Sequence, residues 1–289
     1  MNAIEIKAPA KINLFLKVLN RRPDGYHDIQ SWFQALNLFD HIAIEKRALP
    51  GFALFSENGE GMPLDDHNSI IKTAQLMFDR FSLPGGLDIR VKKNIPIAAG
   101  LAGGSSDASA TIYGVSSLFD LDLETSRMAE LGLEIGSDVP FFFSSGQAEV
   151  TGRGEIIKNI PLPTDYQVAL VTPPIAISTQ ESYQALKMDL TTRKPGIKLL
   201  PCKTFNEMVT ELIKIGNDFE NLHVRALPEL ARIAGVLRQI GAKLIRMSGS
   251  GPTMFGLFDT VPDRDDLSRI TGGDWQVYHL RPITLPAWD

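Results

Sequence analysis

A two-domain α+β fold is predicted by three observations: strand-like alternation near the N-terminus, helical spacing mixed with short strands afterwards, and a Pro161-Leu162-Pro163 break between them. The length, 289 residues, suits one large or two ordinary domains, and 44% hydrophobic residues provide core for either. The break predicts an N-terminal domain over residues 1–160 and a C-terminal domain over residues 161–289.

Ile12, Leu14, Leu16 and Val18 alternate with Lys11, Asn13, Phe15 and Lys17, the period of a half-buried strand, so Lys11 and Asn13 share the face opposite the aliphatic one. Arg22-Pro23-Asp24-Gly25 has turn chemistry, and two further strands are expected, from Ser31 to Leu38 and from His41 to Lys46. Asn68 is a fitting cap for a helix carrying Ile70, Ile71, Ala74, Met77, Phe78 and Phe81 at helical spacing. Leu87, Ile89 and Val91 alternate as a strand that runs on into a glycine-rich loop. Helical stretches follow at Asp107 to Leu118 and Ser126 to Leu133. Pro140 disfavours helix at Val139, which places Asp138 in a loop or at an element boundary. A hairpin with Thr151 to Glu155 as its turn closes the first half.

Past the proline break come a strand from Gln167 to Thr172 and a helix opened by the capping-box pattern Ser178-Thr-Gln-Glu181. Helices are expected at Phe205 to Ile215 and Pro228 to Ile240, and strands at Lys243 to Met247 and Thr253 to Phe258. A short helix near Arg264 to Ile270 and a last strand from Trp275 to Leu280 complete a small antiparallel sheet backed by helices.

The segment Pro96-Ile97-Ala98-Ala99-Gly100-Leu101-Ala102-Gly103-Gly104-Ser105-Ser106 joins a glycine loop to a helix start, the architecture of a phosphate cradle. Glycine lets the backbone come close to a bulky anion, and the two serines can cap the helix, bond a phosphate or touch a metal ion. Neither a Walker loop nor a dinucleotide fingerprint fits, because Gly104 is followed by Ser-Ser-Asp and the glycine spacing is wrong. Taken alone, the segment reads equally well as a serine-capped turn. In the same way Asp138 reads as a turn residue, Lys11 as part of a solvated strand face, and Ser248-Gly-Ser-Gly-Pro252 as a hairpin turn.

Composition narrows the function classes. With 29 basic and 34 acidic residues the net charge is −5, which disfavours nucleic acid as a main partner while leaving room for a local nucleotide pocket. Cys202, the sole cysteine, excludes an internal disulfide, and five scattered histidines make no zinc-like cluster. No long apolar run suggests a membrane helix or signal peptide, so a cytoplasmic setting with no membrane partner is expected.

Three separated segments, Pro9-Ala-Lys11-Ile-Asn13-Leu14, Pro96 to Ser106 and Met247-Ser-Gly-Ser-Gly-Pro-Thr-Met254, resemble the motifs of the GHMP kinases, small-molecule kinases named for galactose, homoserine, mevalonate and phosphomevalonate. Asp24-Gly25-Tyr26-His27, Gly136-Ser-Asp138-Val-Pro140-Phe and Asn217-Asp-Phe-Glu220 resemble the branch that phosphorylates a cytidyl-diphosphate methylerythritol substrate on the route to isoprenoid precursors. The resemblance implies an N-terminal domain of the ribosomal protein S5 domain 2-like kind, a ferredoxin-like C-terminal domain and an active site in the cleft between them. It further implies ATP as phosphoryl donor with Mg²⁺, acting on the small cytidyl-diphosphate substrate, in a monomer or homodimer.

By residue, the resemblance makes Asp138 the base for the incoming hydroxyl and Lys11 its cationic partner, with Pro96 to Ser106 around ATP. It assigns Tyr26 and His27 to the cytidine end, with Phe33 supporting that first stacking surface, Asn13 to a substrate hydroxyl, and Tyr183 to a second stacking surface for the base. Ala98, Ala99 and Ala102 stand where the family often has glycines, which implies a stiffer loop or altered nucleotide affinity. Another GHMP kinase, acting on homoserine or mevalonate, is opposed by Tyr26-His27, because a small substrate has no base to stack. A noncatalytic nucleotide- or RNA-binding module is opposed by the acidic balance and by the Lys11 and Asp138 matches.

Overall fold

The computed structural model describes residues 1–58, 61–186, 196–262 and 274–285, and the expected helix near Arg264 to Ile270 lies outside them. Its frame is a long antiparallel pair, β1 (Ala3–Arg21) and β2 (His27–Arg47), closed by a turn in which the Arg22 amide donates to the Tyr26 carbonyl at 2.7 Å. The two strands expected between Ser31 and Lys46 are thus one strand. Phe39 and Asp40, between the two expected strands, pair with Pro9 and Ala8, and the register against β1 shifts between Pro9↔Phe39 and Ala10↔Leu36, so the irregularity is a bulge at Asn37 and Leu38.

The other flank of β2 pairs with two partners in turn: β5 (Gln147–Gly152) along Ile29 to Gln34, and β4 (Gly86–Lys92) along His41 to Arg47. Outside them lie β6 (Ile156–Asn159), antiparallel to β5, and β3 (Gly51–Ser56), parallel to β4. Three helices, α1 (Ser69–Phe81), α2 (Gly103–Leu118) and α3 (Thr125–Ile135), cover one face, packing Ile70, Met77, Ile112, Val115 and Leu131 onto Ile6, Ile44 and Ile89. The Asn68 side chain accepts from the Ile70 amide at 2.8 Å, the cap that its residue type predicts.

The second sheet is antiparallel in the order β10 (Gln276–Leu280), β7 (Gln167–Thr172), β9 (Met254–Phe258), β8 (Leu244–Met247). Alternate residues of β7 feed different cores. Val168 and Leu170 join Met208 and Leu212 of α5 (Phe205–Ile213), while Ala169 and Val171 join Phe219 of α6 (Asp218–Ala226) and Ile233 of α7 (Pro228–Gln239). A short α4 (Thr179–Ala185) precedes them; Ser178 caps it by accepting from Glu181 N at 3.2 Å.

Strand β1 belongs to both cores. Ile12 and Leu14 pack in the α5 cluster, Leu16 and Val18 in the α7 cluster, and fully burying such side chains contributes roughly 1.5–3 kcal/mol each. Its free edge is occupied as well: Lys11 N donates to the Leu101 carbonyl at 3.1 Å and Leu16 N to the Gly216 carbonyl at 3.2 Å. β1 therefore forms the floor of a cleft walled by the glycine loop on one side and the start of α6 on the other. The chain then returns to the first sheet, where Ile283 N donates to Ala35 O at 3.0 Å and Leu285 N to Ser145 O at 2.8 Å.

Candidate active site

Lys11 stands on β1 opposite Ala35 and is 3% exposed. Its ammonium faces three acceptors: Asn13 Oδ1 at 2.7 Å, the Gly100 carbonyl at 3.3 Å and Asp138 Oδ2 at 3.5 Å, with the Phe33 ring centroid at 4.4 Å. Three acceptors match its three protons. Burial lowers the Lys11 pKa, and the opposing charge of Asp138 works to keep it protonated. Asp138 precedes a short 3-10 turn, Val139–Phe143, whose Phe141 and Phe142 are buried, so the backbone is anchored while the carboxylate stays 33% exposed to the cleft.

The helix at the glycine loop starts at Gly103, four residues before the expected Asp107, and its N-cap is Ala102 with no side-chain cap bond. Neither serine caps it, contrary to that part of the sequence reading. Ser105 lies within the first turn, and the Ser106 hydroxyl is buried without a partner. The helix end thus presents uncapped amides and its positive dipole end to a cavity of about 410 Å³ lined by Pro96 to Gly100 and Ala102 to Ser105. Of the eleven loop residues singled out by sequence, Leu101 and Ser106 line neither this cavity nor the larger one beside it. Ala98 and Ala102 take φ of 53° and 55°, conformations in which an L-residue is strained.

The Ser248 to Pro252 loop packs directly on Gly100. Ser248 Oγ donates to the Gly100 carbonyl at 2.9 Å and accepts from the Asn13 amide at 3.3 Å, while Asn217 Nδ2 donates to the Met247 and Gly249 carbonyls at 2.7 and 2.9 Å. The three separated motifs of the chain thus meet at one point. Asn13 is held by Lys11 and by its own bond to Ser31 Oγ at 3.0 Å.

Gly100 and Ala102 also border a second cavity of about 880 Å³, which holds Lys11, Asn13, Tyr26, His27, Phe33, Asp138 and Tyr183. Among the described residues its charge is one-sided: Lys11, Arg21 and Arg153 line it, against the single carboxylate of Asp138. Tyr26 is 53% exposed, with the Arg153 guanidinium 5.0 Å from its ring centre. The His27 and Tyr183 rings stack on each other at 4.8 Å, and Phe219 meets Tyr183 edge-on at 4.9 Å. A base that stacks on the His27-facing side of Tyr183 must displace the imidazole, whereas the Tyr26 face is shared only with Arg153. Burial and the charge of Arg21 push His27 below its ordinary pKa, so it is neutral near pH 7. Burial, with Asp138 adding to it, raises the Tyr183 hydroxyl.

Sequence reasoning did not single out Arg21, Arg153 or Thr179, which line the cavity beside Ser250 of the third motif. Arg153 carried a signal: it is a lone cation between Gly152 and Gly154, both at positive φ, at the tip of the β5–β6 hairpin. The Thr179 and Ser250 hydroxyls bond each other at 2.8 Å, a pairing of positions 71 apart that only the fold creates.

Comparisons with known proteins agree with this geometry. The family described as GHMP kinases N terminal domain matches residues 68–146, and that described as GHMP kinases C terminal matches residues 202–271. A 4-diphosphocytidyl-2-C-methyl-D-erythritol kinase of Bacillus subtilis (strain 168) is 43% identical over 96% of both chains, and one of Geobacillus sp. (strain WCH70) is 41% identical over 93% of this chain and 91% of its own. A crystal structure of 4-(cytidine 5'-diphospho)-2C-methyl-D-erythritol kinase superposes with a TM-score of 0.75 at 30% identity, covering 96% of this chain and 99% of its own. Homoserine kinase from Cytophaga hutchinsonii shares the fold at a TM-score of 0.72 and 15% identity, covering 98% and 96% of the two chains. The chain belongs to the GHMP kinases and, within them, to the 4-diphosphocytidyl-2-C-methyl-D-erythritol kinase family.

Proposed function

We propose that the protein transfers the γ-phosphoryl group of ATP to the 2-hydroxyl of 4-diphosphocytidyl-2-C-methyl-D-erythritol, releasing ADP. The observation that carries this reading is the Lys11–Asp138 pair, 3.5 Å apart beside Gly100, where the glycine-loop cavity meets the larger cationic one. One cavity suits a nucleotide's phosphates and the other a substrate bearing a diphosphate and a base, so the reacting atoms would meet at the pair.

In this reading Asp138 accepts the hydroxyl proton as the oxygen–phosphorus bond forms. The Lys11 ammonium keeps that carboxylate ionised and stabilises the developing charge on the attacking oxygen. The amides at the start of α2 hold the phosphates, and Asn13 positions the hydroxyl. Tyr26 offers the base its open face, while neutral His27 supplies one donor and one acceptor for a cytosine edge.

Mg²⁺ would supply charge neutralisation on the ATP phosphates. The donor set fits a phosphate-borne ion: among the described residues no three His, Cys, Asp or Glu converge, and Asp138 is the single carboxylate in the larger cavity. A magnesium ion that keeps waters and phosphate oxygens as most of its six ligands needs no more than that. Among the described residues no helix is long and apolar enough to cross a membrane.

The test offers the purified protein ATP and Mg²⁺ with the cytidyl substrate, mevalonate, homoserine or galactose, and follows ADP release and the new phosphomonoester by phosphorus NMR. The expected result is turnover of the cytidyl substrate. Turnover of any of the other three without it would overturn the assignment.

A further inference from the structure

Among the described residues, one Lys or Arg side chain lines the cavity under the glycine loop, and it is Lys93. The loop itself, Pro96 to Ser106, contains no cation. A nucleotide triphosphate carries about four negative charges, more than uncapped helix amides alone neutralise.

Lys93 is held by two buried carboxylates. Its ammonium donates to Asp40, which pairs with Ala8 two residues past the bulge of β2, and to Asp107 Oδ2, in the second turn of α2, at 2.6 Å. Asp40 has no exposed surface, and its other oxygen accepts the amides of Asn94 and Ile95 at 2.6 and 2.9 Å. The same carboxylate therefore fixes the ammonium and the two residues that lead into the loop. Asp107 is 3% exposed, and its second oxygen has no partner.

The geometry aims the ammonium at the loop. Two carboxylates use two of its three protons, and the side chain keeps 12% of its surface exposed. A Cβ built on Gly103 would stand 3.4 Å from Lys93 Nζ and 3.1 Å from Ile95 Cγ2, so a side chain at this first residue of α2 would crowd both. Glycine keeps the space between the ammonium and the helix end clear. The ion cluster is also poised to lose its excess negative charge: burial raises the Asp107 carboxyl to about 7, against the pull of Lys93 and with the charge of Asp40 adding to it.

We propose that Lys93 is the cation that receives the nucleotide's phosphates at the glycine loop, with Asp40 as the carboxylate that aims it and Asp107 as a counter-charge that tempers its pull. The proposal rests on the reading of Pro96 to Ser106 as the phosphate site. It assigns a role to a buried ion cluster outside the Lys11–Asp138 pair and explains why the loop needs no lysine of its own.

The test is calorimetric titration at about pH 8.5, where the Asp107 carboxyl is ionised, of the wild type, Lys93→Met, Lys93→Arg and Asp107→Asn with adenosine, ADP and a non-hydrolysable imidodiphosphate analogue of ATP, in Mg²⁺ buffer. Lys93→Met is expected to weaken ADP and the analogue by at least about tenfold while adenosine stays within about twofold, and Lys93→Arg to recover part of the loss. Asp107→Asn, which removes a counter-charge and keeps the ammonium, is expected to tighten ADP by about two- to fivefold. Wild-type ADP affinity in Lys93→Met, or equal losses for adenosine and ADP, would overturn the proposal. If Lys93→Met fails to fold, unchanged or weaker ADP binding by Asp107→Asn overturns it instead. A wild type that binds ADP no better than adenosine would sink the phosphate-site reading itself, an outcome distinct from failure of Lys93 alone.

Discussion

Replacing Gly100 by alanine is the most direct probe of how the three motifs are locked together. Gly100 has φ of +78°, where an L-residue costs about 1–2 kcal/mol. A Cβ there would overlap the Ser248 carbonyl oxygen and lie 3.1 Å from its carbon and 3.2 Å from the Gly251 carbonyl oxygen. All three atoms are backbone, so the Ser248 to Gly251 loop must retreat. That movement breaks the bond from Ser248 Oγ to Gly100 O and loosens the one from Lys11, each worth about 1 kcal/mol. The reduced entropy of the unfolded alanine chain offsets about 0.4–1 kcal/mol. The net expectation is a loss of roughly 2–4 kcal/mol, read as a lower urea midpoint at unchanged slope, together with a large fall in kcat because Lys11 is displaced. A variant within about 1 kcal/mol of wild type and fully active would refute the close packing of loop on loop.

Other substitutions test separate parts of the structure. Ala98→Gly and Ala102→Gly are each expected to stabilise by about 0.5–1 kcal/mol, because relief of a positive φ exceeds the added unfolded-state entropy; destabilisation in thermal melts would contradict the strained loop. Asp138→Asn is expected to lower kcat by about 10²–10⁴ while nucleotide affinity stays within a few-fold, and wild-type turnover would remove it as the base. His27 has a lowered folded pKa, so between that value and the ordinary 6.5 the unfolded chain binds more protons and stability rises with pH. KM for the cytidyl substrate should be flat from pH 8 to 6.5 and climb below the depressed value, and His27→Gln should abolish that climb; a climb that persists in His27→Gln assigns it to another group.

Where local chemistry dictates structure, the sequence was legible. The Asn68 cap, the spacing of Ile70 to Phe78 and the strand read at Gln167 to Thr172 each correspond to an element found at that place. Elements set by their partners were not. β3 is short and parallel to β4, and α6 is short, its first turn held by Asp218, which pairs with Lys17 and accepts the Val18 amide at 2.9 Å. Glycine-rich Gly103 and Gly104 argue against helix by propensity, yet they form the first turn, where a close approach to the loop matters more than propensity. Of the site, Lys11, Asn13 and Asp138 were legible through motif resemblance, and the structure brings their side chains together. The Asp40–Lys93–Asp107 cluster was not, because Asp40 reads as a strand interruption and its partners are separated by 53 or more positions. Register and tertiary closure, invisible to periodicity, create that site.

The return of residues 281–285 to the first sheet bears on how the protein is made. Gln34 Nε2 donates to the Ile283 carbonyl across 249 positions, and Asn37 Oδ1 accepts from the Arg281 amide across 244. A chain emerging from the ribosome therefore completes both arms of β1 and β2 early, yet the bulge between them waits for residues 281–285 to arrive. Until then the Asn37 amide and Oδ1 and one Gln34 amide proton depend on water or on a chaperone. The kinase site, whose floor is the same β1, is assembled only once the Ser248 to Pro252 loop has been made, and a chain stopped before residue 281 would leave the middle of its longest hairpin open.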